Sequence, residues 1–242
     1  MNRLKHISLL GLCLAFLSAC TWHLNTVQPA YYRISDTLSG AGEIESLILP
    51  YKQHTDSLMG ETVGELPFEL VKEKPNGNLG LWMADACMNY ARRLDEPADV
   101  VLLNQGGIRR PYLAKGRVSL GMMYELMPFD NQLVALKVKG ALLKEILTLA
   151  VDKGGEPMTG ALVTIHSELV EIQIGEKKLE ENNTYVLITN DYMYNGGDGY
   201  GLMQNAENPR YLGLIRDILI EEIGIKSQTF PNSGTLRWIW YE

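Results

Sequence analysis

Residues 194–200 read Tyr194-Asn195-Gly196-Gly197-Asp198-Gly199-Tyr200. They follow closely on a predicted strand, Tyr185–Thr189. A packed core has no use for three glycines and an aspartate side by side. Glycine lets a chain bend tightly and lets its backbone approach a ligand. An aspartate held among glycines has a free carboxylate and neighbouring backbone N–H groups, which suits paired hydroxyls such as those of a sugar. A second cluster, Asn104-Gln105-Gly106-Gly107-Ile108-Arg109, follows the predicted strand Val100–Leu103. Two glycine-rich strand exits in one chain point to one small-molecule site built from both. Two separate tight turns would need the same residues, so that reading stays open here.

Outward from these clusters the pattern is mixed. Apolar positions at 44, 47, 48, 51 and 58 predict a helix started or interrupted near Pro50. Thr62–Glu73 alternates as strand and turn, and Asn76-Gly77-Asn78 offers cap residues for a helix from Leu79 through Arg93. Trp82 and Met83 lie on the apolar stripe of that helix and read as core. Ser119 is placed to cap a short helix ending near Leu126, before Pro128. Leu133–Val138 reads as strand, Ala141–Val151 as helix, and Asp152–Gly160 as a loop holding Gly154 and Gly155. Leu162–Glu168 and Val170–Ile174 read as paired strands, with His166 structural. Tyr211–Ile223 is helically periodic, and Leu236–Tyr241 closes as a strand. Two strand-helix-strand units, 60–150 and 160–242, hint at a loose duplication without a residue-level repeat. Strands and helices sharing one core predict an α/β or α+β architecture.

The start of the chain reads as an address. Arg3 and Lys5 precede an apolar run, Ile7–Leu17, too short to span a bilayer and typical of a secretory signal. Leu17-Ser18-Ala19-Cys20 resembles the bacterial lipobox, which implies cleavage before Cys20 and lipidation of its thiol. The expected organisation is a signal peptide at 1–19, a tether at 20–42 and one domain at 43–242. Each buried methylene of a lipid chain contributes about 0.8 kcal/mol of anchoring. Thr21, not aspartate, follows Cys20, a weak pointer to the outer membrane with the protein facing the periplasm.

Composition excludes several classes. The chain has 242 residues, with 22 Lys and Arg against 29 Asp and Glu. Loss of Arg3 and Lys5 leaves 20 against 29, a net charge of −9, which argues against nucleic acid as a partner. Of Cys13, Cys20 and Cys87 only the last remains unmodified in the mature domain, so no internal disulfide is expected. Histidines stand at 6, 23, 54 and 166, with no metal-binding spacing, so no cofactor or metal is expected in this chain. No Ser/His/Asp or Cys/His arrangement is visible. Glu180-Glu181 reads as solvated turn.

Three features carry chemistry. Arg109-Arg110 at a glycine turn forms either a phosphate fork or a solvated pair. Phe129 and Tyr192 form either an aromatic clamp for a base, each stack contributing about 1–3 kcal/mol, or core packing. Asp198 is the candidate for hydroxyls.

The motifs occur in a telling order: Asn78-Leu79-Gly80 with Ala84-Asp85-Ala86, Asn104-x-Gly-Gly-Ile-Arg109, Pro128-Phe129-x-Asn131, Gly140, then Tyr192 and Asn195-Gly-Gly-Asp198-Gly-Tyr200. Over about 60–242 the chain resembles the C-terminal, substrate-recognition domain of 5′-nucleotidases and related UDP-sugar hydrolases. The resemblance implies a four-layer α/β/β/α fold with mixed sheets. It places Phe129 and Tyr192 on the base, Asn131, Asp198 and a glycine near Gly155 on the ribose, and Arg109 towards the phosphate. The family often has two further arginines upstream of the Asn-Leu-Gly helix. Here Glu69-Leu-Val-Lys72-Glu73-Lys74 stands there, which weakens the grip or moves it to the lysines. Asp130, where the family commonly has a small residue, would disfavour a nearby phosphate.

In that family, hydrolysis belongs to a metallophosphatase domain carrying Asp-x-His and Gly-Asn-His-Asp/Glu motifs around two divalent metals. Neither motif occurs here. The lipobox stands directly ahead of the recognition region. The expectation is therefore a substrate-binding half without its catalytic half, inactive alone and partnered by a separate metallophosphatase that holds the two metals. The alternative is a non-catalytic nucleoside- or nucleotide-binding lipoprotein.

Overall fold

The computed structural model describes residues 42–241, apart from 168, 227 and 233. The signal segment, Cys20 and all of the tether except Gly42 lie outside the described residues. Helix α1 spans Gly42–Met59 and buries no residue. It runs through Pro50 rather than starting or breaking there. A compact unit begins at Ile48 and continues to the end of the chain.

Strands β1 (Thr62–Leu66) and β2 (Leu70–Val71) lead into α2 (Asn78–Arg93). The expected caps have other duties. Asn76 Oδ1 accepts from the backbone N–H groups of Arg237 and Trp238 at 2.8 and 3.0 Å, and Asn78 Oδ1 accepts from Val71 N at 2.6 Å. Tertiary partners therefore outcompete the local helix end for these amides. After β3 (Val100–Leu102), a 3₁₀ turn at Gln105–Gly107, β4 (Tyr112–Leu113) and β5 (Gly116–Ser119) comes α3 (Leu120–Leu126). Ser119 Oγ accepts from Met122 N, the expected cap. Then follow β6 (Gln132–Lys139), α4 (Gly140–Asp152), β7 (Met158–Thr159), β8 (Ala161–His166), β9 (Leu169–Ile174), β10 (Lys177–Lys178), β11 (Thr184–Asn190) and the short α5 (Asp191–Tyr194). The chain ends with β12 (Glu207–Leu214), α6 (Ile215–Ile223) and β13 (Trp238–Tyr241).

The central sheet has the order β12-β6-β11-β3-β7. Only β11 and β3 are parallel, so the sheet is mixed. A second mixed sheet has the order β10-β9-β8-β13. Along β6 the side chains alternate between two cores, Leu133 and Ala135 to one face, Val134, Leu136 and Val138 to the other. The first face packs on α2, α3 and α6, including Trp82 and Met83. The second packs on α4, on apolar residues of β8 and β9, and on Trp238. Burial on both faces explains the long apolar runs of these strands. The α/β architecture with mixed sheets is the one the sequence predicts.

Two expectations fail. Tyr211–Leu214 belongs to β12 rather than to a helix, which begins only at Ile215. The β12 backbone bonds to β6 through two irregularities, one spanning Tyr211 to Gly213, so edge pairing overrides a helix-like spacing. The two halves are also not separate repeats, because their strands interleave in the central sheet.

Candidate functional site

Parallel neighbours send their C-terminal ends to the same edge of a sheet, where α/β proteins place ligands. The pairs Leu187–Val100 and Ile188–Val101 set β11 and β3 in that register. Both glycine-rich exits therefore open onto one cavity of about 380 Å³, lined by Asn104, Gly106, Gly107, Arg109, Phe129, Asn131, Tyr192 and Asp198.

Five of the six sequence-predicted residues meet there. Phe129 and Tyr192 are 38% and 45% exposed, which rules out core packing for both. The Arg109 guanidinium lies over the Phe129 ring, 4.9 Å from its centroid. Gly155 is not among the lining residues. A Cβ at Gly155 would stand 2.7 Å from Pro75 and 3.3 Å from Trp238, and its φ is +85°, so packing and conformation account for the glycine. Arg110 pairs with Glu125 and does not line the cavity, so of the two arginines only Arg109 stands in its wall.

Asp198 is held more tightly than its sequence context suggests. Its backbone is left-handed, φ 52° and ψ 23°, a region aspartate tolerates better than most residues. The carboxylate is not free. Oδ2 accepts from Asn104 Nδ2 at 2.8 Å and Oδ1 from the Tyr192 hydroxyl at 3.0 Å. Asn104 Oδ1 in turn accepts from Asn190 Nδ2 at 2.8 Å, and Asn190 Oδ1 caps α5 by accepting from Met193 N at 2.7 Å. The Tyr192 ring lies against Gly197, where a Cβ would come within 2.5 Å of it. Each Asp198 oxygen keeps a further lone pair for a ligand hydroxyl.

The other arm is braced from below. Gln105 N donates to Glu156 Oε2 at 2.6 Å, and Lys74 stands 3.8 Å from the same carboxylate. Burial raises the Glu156 pKa, against the Gln105 N–H and the Lys74 charge, which lower it. Lys72 Nζ donates to Ile108 O at 2.7 Å. Burial, then the nearby charges of Arg109 and Lys74, lower the Lys72 pKa, so three cations stand near one another on this side. Burial also pushes the Tyr200 phenol up, helped by Glu156 and Asp198.

Gly197 belonged to the glycine cluster read from sequence and Lys72 to the lysines named upstream of the Asn-Leu-Gly helix, whereas Asn190 and Glu156 were not read from sequence as parts of this arrangement. Of these two only Asn190 carried a signal, an asparagine between an apolar strand and a helix start. Among the described residues no three His, Cys, Asp or Glu come together to hold a metal. Among them, too, no helix is long and apolar enough to cross a membrane.

The family model for the 5′-nucleotidase C-terminal domain matches residues 60–205, more than half of the chain and every cavity residue. The chain belongs to that family. This 5′-nucleotidase C-terminal domain is 27% identical, over 68% of its own length and 13% of the relative's, to the trifunctional nucleotide phosphoesterase protein YfkN of Bacillus subtilis. It is 26% identical to the NAD 5′-nucleotidase of Haemophilus influenzae, over 70% of its own length and 33% of the relative's. A 5′-nucleotidase precursor from Thermus thermophilus shares the fold, with a TM-score of 0.70 and 23% identity over 82% of this chain and 43% of that one. The chain thus spans less than half the length of these proteins.

Proposed function

We propose that this domain recognises a nucleoside or nucleotide and orients it for a metallophosphatase carried on a separate chain, as the recognition half of a split 5′-nucleotidase. The observation that carries the reading is the meeting of two aromatic–charge pairs on one cavity, Arg109 on Phe129 and Asp198 on Tyr192. The exposed rings offer stacking surfaces for a base. Asp198 offers acceptors to a ribose diol. Arg109, with Lys72 behind it, offers charge to a 5′-phosphate. Holding base and ribose fixes where the phosphate stands, which is the positional contribution to catalysis. The metals would belong to the partner and supply the nucleophile and the phosphoryl stabilisation. Attachment through a lipidated Cys20 would keep both halves at the cell envelope, facing the periplasm.

Two measurements test this. Calorimetric titration should show AMP and adenosine binding to the purified chain, and phosphate release from AMP with added Mn²⁺, Mg²⁺ or Zn²⁺ should be absent. Release that survives rigorous purification sinks the split arrangement. Native-membrane co-purification should bring down a metallophosphatase. Binding without such a partner would favour a capture or sensing lipoprotein, and retention of Cys20→Ala in the membrane fraction would place the anchor elsewhere.

A further inference from the structure

Arg216 is the second residue of α6 and only 8% exposed. It places a cation at the helix end where the backbone dipole is already positive. A buried cation persists only where its partners offset the lost hydration. Here those partners all belong to one short segment. Nη2 donates to Asp130 Oδ1 at 2.6 Å, Nη1 stands 3.4 Å from the carbonyl oxygens of Met127 and Phe129, and the Tyr124 ring centroid lies 4.3 Å from Cζ. Nε finds no hydrogen-bond partner among the described residues. The preceding residue adds a backbone bond, Ile215 N to Asn131 O at 2.9 Å. The start of α6 thus grips the stretch that carries both Phe129 and Asn131, while Ile215, Ile218, Leu219 and Ile223 root the helix in the core.

We infer that Arg216 is a positioning residue for the cavity. It holds the Met127–Asn131 segment, and with it the Phe129 ring, and it cancels the charge of Asp130 so that an anionic ligand can approach that wall. The inference rests on the reading of the cavity as a nucleoside or nucleotide site. Asp130 lies between two lining residues with an exposed carboxylate, and alone it would repel a phosphate. Paired with Arg216 it becomes compatible with one. Arg109, the lining cation, stacks on the same Phe129.

The test titrates AMP and adenosine against the full chain and its Arg216→Met, Asp130→Asn and doubly substituted variants, with amide exchange followed in parallel. Methionine keeps most of the buried stem. Arg216→Met should weaken both ligands several-fold, and AMP by about tenfold more than adenosine, the effect of one uncompensated charge. Adding Asp130→Asn should restore the AMP-to-adenosine ratio without recovering the loss common to both. Exchange should quicken at 127–131 and stay unchanged at 190–200. An equal loss of both ligands, or no rescue by Asp130→Asn, overturns the charge role. If Arg216→Met does not fold, Arg216→Lys replaces it, and should keep the ratio while losing adenosine affinity. If the unaltered chain binds neither ligand, the nucleotide reading falls, and Arg216 is judged on exchange alone. Unchanged exchange at 127–131 then overturns its positioning role.

Discussion

The exits of β3 and β11 lie side by side, yet they are held in different ways. Beyond Asn104, whose side chain belongs to the other arm's network, Gln105–Arg109 is tied through its backbone, by Gln105 N on Glu156, Arg109 N on Leu126 O and Lys72 on Ile108 O. Its arginine side chain lies over Phe129 in the cavity wall. Asn190–Tyr200 is tied through side chains, with Asn190 capping α5 and with Tyr192 and Asn104 both donating to Asp198. Here the charged group is itself part of the scaffold. A backbone-held arm can change its side chain and keep its shape. A side-chain-held arm cannot, so recognition and stability are coupled in one arm and separable in the other.

The largest effect should come from Asn190→Ala. Asn190 is fully buried, and its loss leaves Asn104 Oδ1 and Met193 N without partners. About 2–4 kcal/mol of stability should go in chemical denaturation, from an unsatisfied buried group and a lost cap together. Gln105→Ala, in the backbone-held arm, should change stability by no more than about 0.5 kcal/mol. Comparable losses in the two variants would break the comparison.

Next in size is the division of labour over the ligand. Arg109→Ala should cost AMP roughly 1.5–3 kcal/mol in calorimetric titration and leave adenosine nearly unchanged, because only AMP offers a phosphate to the guanidinium. Asp198→Asn keeps a residue that tolerates the left-handed backbone and should weaken both ligands alike, because both carry the ribose. Equal losses of AMP and adenosine in Arg109→Ala would erase the distinction between the arms.

The smallest effect sharpens the comparison through pH. Burial holds the Glu156 proton above the ordinary value of 4.5. The folded chain therefore keeps that proton to higher pH than the unfolded one. The resulting stability is present below 4.5 and lost as pH rises through the raised value. Glu156→Gln can still accept from Gln105 N and should flatten that part of the pH–stability curve measured by denaturation. A difference curve without slope in that window would show that the brace under the first arm does not titrate there.

Much was legible because it is local. Alternation and apolar runs marked the buried strands, the Ser119 cap marked α3, and the two glycine clusters marked the sheet edge that carries the cavity. Tyr211–Leu214 misled because an edge strand paired through irregularities has no clean two-residue period. Arg109, Phe129, Tyr192 and Asp198 stood out from the residues themselves, whereas Asn131 and Gly155 were carried over by resemblance; Asn131 lines the cavity, and Gly155 instead stands against Pro75 and Trp238.

By itself the sequence determined the alternating faces of the strands, the amphipathic helices and the turn whose positive φ at Gly196 and Gly199 favours glycine, since each depends on neighbours a few residues apart. Tertiary structure decided which polar groups support which. Asn104 and Asp198 are 94 residues apart, Asn104 and Asn190 86, Gln105 and Glu156 51, and Arg216 and Asp130 86. Such bonds leave no periodic trace in a chain, because hydrogen-bond geometry is satisfied only after the sheet register has brought the partners within three ångströms or so of one another.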